Sequence, residues 1–112
     1  MKWYQNLYVG ETARKKKKRI IWKINHNAGL IDVYVVTLAA NGTDLFDIVS
    51  SAVLMQKAVR RNCPLIVGIA CGYDEAVQLA LNIALEVYKE TGGFQVRQYL
   101  ARKERKERNL QV

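Results

Sequence analysis

Proline, cysteine and histidine are nearly missing from this chain, with one Pro, two Cys and one His in 112 residues. The lone Pro64 excludes a proline-rich linker or recognition segment. Cys63 and Cys71 are too few for a disulfide-stapled miniprotein, and together with His26 they fall short of the four ligands of a structural zinc site. Both are read as reduced thiols, and no metal or cofactor is expected. No uncharged apolar run approaches the ~18 residues that a membrane span requires. The opening segment MKWYQNLYVG lacks the continuous apolar stretch of a secretory leader, so a cytoplasmic location is the expectation. The GxGxxG and GxxxxGK[ST] phosphate-binding patterns are also missing.

What the chain has is apolar substance and segregated charge. Half of its residues are hydrophobic, enough for the core of one domain, and the formal net charge is +8. Residues 14–23 (RKKKKRIIWK) carry +7 and residues 102–108 (RKERKER) carry +3, which leaves the rest of the chain at −2. A slightly acidic body therefore bears two basic segments, and clustered cations concentrate anionic partners near them.

Hydrophobic periodicity and turn chemistry divide the chain. Residues 3–9 (WYQNLYV) read as an edge strand ended by Gly10. Thr12 is placed to cap a helix over residues 13–28, with Gly29 as its left-handed terminator. The apolar, β-branched segments 31–39 and 65–71 read as strands covered on both faces. Asn41-Gly42 supplies a turn. Thr43 or Asp44 then caps a second helix that carries Leu45, Ile48, Val49, Ala52 and Met55 on one face and stops near Gln56. Residues 57–64 are a polar connection. Gly72 opens a third helix over residues 74–90, with Asp74 as its cap. Gly92 and Gly93 break this helix, and residues 94–99 (FQVRQY) alternate as a last edge strand.

The expected architecture is α/β, a single small domain over residues 1–100. It has a four-stranded, mostly parallel sheet and three helices in the order β-α-β-α-β-α-β, with right-handed crossovers and the strand order left open. A basic, flexible tail follows over residues 101–112.

At 100° per residue the first helix has two sides. Ala13, Ile20 and Ile24 fall together and are expected to dock on the sheet. Lys15, Lys18, Arg19, Trp22 and His26 form one stripe on the opposite side. An indole and an imidazole in a basic row suit a phosphate backbone and an unstacked base, and Arg60 and Arg61 are candidates to extend the same surface. Nucleic acid, or an acidic protein surface, is the expected partner.

Catalysis is not expected. Cys71 stands at the end of a central strand, where an α/β nucleophile can sit, but no spacing brings His26 to it. Asp74 and Glu75 at a helix start suit the helix dipole and would repel phosphate. Capping and solvation account for Asp32, Asp44 and Asp47, and Gly68 reads as relief where a helix crosses the sheet. The alternative function is a protein-interaction or scaffold module with a solubilising basic surface. The wide apolar sectors of the second and third helices would then pair in a homodimer.

Overall fold

The computed structural model describes residues 1–41 and 44–110, so Gly42 and Thr43 of the expected turn and cap lie outside the described residues, as do 111–112. Strand β1 spans Trp3–Val9, β2 Val33–Leu38, β3 Phe46–Ser50 and β4 Ile66–Cys71. Helices α1 (Lys17–Asn25) and α2 (Lys57–Arg61) lie between strands and α3 (Tyr73–Thr91) and α4 (Val96–Leu110) follow the last one, with short 3-10 turns at Arg14–Lys16 and Val53–Met55. The four strands form one sheet in the order β1-β4-β2-β3. Only β1 and β4 run parallel, while β2 is antiparallel to both of its neighbours.

This overturns the mostly parallel sheet with three helices. Two segments account for the difference. Residues 46–50 were expected inside a helix and instead form β3, paired with β2 from Leu38↔Phe46 to Tyr34↔Ser50. Phe46 and the β-branched pair Ile48-Val49 suit a pleated surface. Asn41 and Asp44 shape the connection, with the Asp44 amide donating to Asn41 Oδ1 at 2.8 Å. Asn-Gly after a strand is a hairpin signal, and here it outweighs a helical periodicity that short apolar runs mimic. The remainder of that expected helix is the 3-10 turn, and the polar connection that follows contains α2.

The second segment is the expected final strand over 94–99, which has become the lead-in and first turn of α4. Its alternation lasts four residues and breaks at Gln98, whereas Val96, Tyr99, Leu100 and Lys103 continue at helical spacing. Val96 and Leu100 are buried. Residues 101–110, read from the sequence as a loose tail, continue this helix.

Each sheet face carries its own apolar cluster. Tyr4, Val36, Val67, Leu79, Ile83, Val87 and Leu100 pack together beneath α3 and α4. Ile20, Ile24, Val35, Leu54, Ile66 and Ile69 pack on the opposite face beneath α1 and the 3-10 turn before α2. Gly68 makes the close approach of α3 possible, because an added Cβ would lie 2.8 Å from Leu79 Cδ2.

One carboxylate fastens α4 to the domain. Glu86 Oε2 on α3 accepts from the Tyr8 hydroxyl at 2.7 Å, the Tyr99 hydroxyl at 2.7 Å and Lys103 Nζ at 3.0 Å. Burial acts to raise the Glu86 pKa, but these three donors and the Lys103 charge outweigh it and hold the carboxyl below its ordinary value. A carboxyl with a depressed folded-state pKa stabilises the fold above the ordinary carboxylate pKa, and that contribution disappears as pH falls through the lowered value. Glu86→Gln is therefore expected to cost about 1–2 kcal/mol at neutral pH. Urea unfolding should show this cost shrinking towards pH 3, and an equal cost at both pH values would contradict the role of the charge.

Candidate polyanion-binding surface

The basic segment leaves the sheet where the parallel pair β1 and β4 ends. The Gly10 amide donates to the Ile69 carbonyl at 2.8 Å, continuing the ladder by one residue. Beyond it, Glu75 in the first turn of α3 reaches back across Gly10. Its Oε1 accepts the Thr12 amide at 2.8 Å and its Oε2 accepts the Cys71 amide at 2.6 Å. Burial would raise the Glu75 pKa, but the Thr12 and Cys71 amides and the Thr12 hydroxyl override it and leave the carboxyl below its usual value. Thr12 is therefore a ligand of Glu75 and no helix cap; Ala13 and Lys16 precede the 3-10 turn and α1 without any side-chain cap.

The 3-10 turn and α1 then carry seven cations with no acid in the first turn of either element. Repulsion and the unfavourable dipole cost about 1 kcal/mol or more at low salt, which burial of Ile20 and Ile24 at about 1.5–3 kcal/mol each offsets. Both isoleucines are buried, as is Ala13, so the expected docking side does face the sheet. Among the described residues, the one ion pair within 4.0 Å is Lys103–Glu86, and the cations of residues 14–23 take no part in it.

Lys15, Lys18, Arg19 and His26 are exposed, and Trp22 is 57 % exposed. The Trp22 and His26 rings stack one helical turn apart, with centroids at 4.0 Å and planes at 17°. His26 also closes the helix, its ring Nδ1 lying 2.7 Å from the Trp22 carbonyl. The left-handed residue after α1 is Asn27, at φ 54°, and Gly29 does not adopt that conformation. Asparagine tolerates this region through local hydrogen bonding, so glycine is not required there.

Arg60 is half-buried and donates from Nη2 to the Asn25 carbonyl at 2.8 Å, while Trp3 Nε1 donates to the Asn25 side chain at 2.7 Å. Arg60 is thus a tie between α2 and the end of α1, and Arg61 beside it is exposed. The second basic segment does not join this surface, since α4 packs on the other sheet face. Lys16 and Lys23, outside the sequence-derived stripe, line a hollow of about 180 Å³ with Arg19 and Cys71. They sit between the exposed and docked sides of α1, where a helical wheel alone does not show what the sheet leaves open.

No family model, no curated protein and no solved structure matches this chain. Function must be read from its own geometry.

The remaining candidates serve the fold. Gly72, at φ 89°, is the residue preceding α3, so Asp74 is a first-turn acid there and makes no cap hydrogen bond. Gly92, at φ 77°, ends the helix in the left-handed region, its amide bonded to the Tyr88 carbonyl at 2.7 Å. Gly93 follows and donates to Thr91 Oγ1 at 3.2 Å. The Cys71 thiol pKa is pushed up by burial and by Glu75 and Asp32, against a smaller opposing effect of Lys16. Burial likewise raises that of Cys63. Both shifts favour the protonated thiol, the less nucleophilic form.

The bridge across Gly10 is open to a double-mutant test. A Cβ on Gly10 would lie 2.5 Å from Glu75 Oε2, a position the carboxylate cannot share. Gly10→Ala and Glu75→Ala are each expected to cost about 1–3 kcal/mol. The double variant should cost less than their sum by at least about 0.5 kcal/mol, since both remove one interaction. Strict additivity in denaturant unfolding would show that Gly10 and Glu75 act separately.

Proposed function

We propose that the α1 surface binds single-stranded nucleic acid. The observation that carries this reading is a half-exposed Trp22–His26 stack set among Lys15, Lys18 and Arg19, none of which is ion-paired among the described residues. Cations at helical spacing track a phosphate backbone, and an aromatic shelf offers a face to an unpaired base. A duplex keeps its bases stacked on one another and offers no free base face to that shelf. Arg61, with Lys16 and Lys23 on the flank of α1, widens the positive surface.

Fluorescence anisotropy with a labelled oligothymidylate tests the reading. If about four phosphates are contacted, affinity should fall roughly fifty-fold between about 50 and 200 mM salt. Trp22→Ala should weaken binding by about 1–3 kcal/mol, and the variant K15Q/K18Q/R19Q should flatten the salt dependence. Failure of the wild-type protein to bind at low salt, or binding indifferent to Trp22, would refute it.

A further inference from the structure

The outer side of α3 carries a row of large apolar side chains that the fold only half covers. Tyr73, Val77, Leu81, Leu85 and Tyr88 recur at intervals of four, four, four and three residues, and each is 41–55 % exposed. Phe94 extends the row by stacking on Tyr88, with ring centroids at 5.1 Å. Such spacing places the five helical residues within about 120° of one another on the helix circumference. The row lies on the side of α3 away from α4, because the α4-facing side is marked by the contacts of Glu86 with Tyr99 and Lys103.

We propose that this row is the interface of a homodimer in which two copies of α3 pack antiparallel across a twofold axis near Leu81. Three features select a second copy as the occupant. The row has the same character from either end, Tyr-Val-Leu-Leu-Tyr, so reversing one helix sets each tyrosine beside the tyrosine of the other copy and aliphatic against aliphatic. An isologous contact requires that self-complementarity. Asp74 falls toward one margin of the row and Lys89 just beyond that margin, about 60° apart on the helix circumference, 15 residues apart and both exposed. Antiparallel pairing brings Asp74 of each copy to Lys89 of the other. The area is also sufficient, since six large side chains about half exposed present on the order of 500 Å² per copy. Two copies then bury about 1,000 Å², the lower bound for a specific interface.

The α1 surface lies on the opposite sheet face, so the dimer carries two basic surfaces directed away from its interface. A nucleic-acid strand long enough to reach both would bind with a gain from linkage, although the dimer itself does not depend on that activity.

Size-exclusion chromatography with light scattering on the full chain tests the proposal. The expected mass is twice the 12.8 kDa of the chain. Leu81→Glu should weaken association by at least about thirty-fold while leaving circular dichroism and the unfolding midpoint of the monomer unchanged, because the side chain is half exposed. Asp74→Lys should weaken it as well, and the double variant D74K/K89D should restore it. A wild-type mass of one chain up to about 200 µM overturns the proposal, as does a dimer that survives Leu81→Glu. Loss of dimer in D74K that K89D fails to rescue overturns the antiparallel arrangement.

Discussion

A single carboxylate, that of Glu75, holds the ends of three elements in register. It accepts the Thr12 amide, three residues past β1, and the Cys71 amide that ends β4, and it belongs to the first turn of α3. Gly10 is the residue over which it passes, and any side chain there would occupy the space of the carboxylate. The parallel pair, the start of the basic segment and the helix on the far sheet face all converge on this group. A negative charge there also suits the dipole of α3. The run of like charges therefore begins two residues after a fixed amide, and the buried Ile20 and Ile24 hold the rest of it on the sheet.

The molecule separates its two kinds of surface by the thickness of the sheet. On one face α1 is held by isoleucines and shows cations with an aromatic pair. On the other face α3 and α4 are held by a larger apolar cluster and by the Glu86 hub, and α3 shows an apolar row. The strand order accounts for the separation. With β4 inserted between β1 and β2, the connection from β1 to β2 runs over one face, and the helix leaving β4 takes the other.

Much of this was legible from residue types, and what was missed has physical causes. Strand β1 was read with its observed ends, and the long helix α3 within a residue of them, because a strand of aromatic and β-branched residues and a helix bounded by glycines declare themselves locally. The docked and exposed sides of α1 followed from a 100° step. Strand β3 was misread because its stability comes from a partner, β2, and its short apolar run fits a helix equally well. Helix α4 was misread because residues 94–99, its lead-in and first turn, were read as alternating, and only Tyr8, Glu86 and Leu100 together show why the segment folds as a helix. At the surface, Arg60 was read as a candidate to extend the basic stripe because nothing in the sequence places it beside the Asn25 carbonyl. Lys16 and Lys23 were passed over because exposure at the flank of α1 depends on the sheet beneath. The breadth of the apolar sector on α3 was visible; which part of it stays uncovered was not.

Under the proposed function, one face of the sheet binds a nucleic-acid strand while the other is left to packing and pairing. Nitrogen-proton NMR spectra of the labelled protein, recorded while a short oligothymidylate is added, test it most directly. Shifts are expected only at the amides of residues 15–26, the Trp22 indole proton and the neighbourhood of Arg61, with the amides of residues 77–88 unmoved. Shifts centred on α3 or α4, or none at low salt, would contradict it.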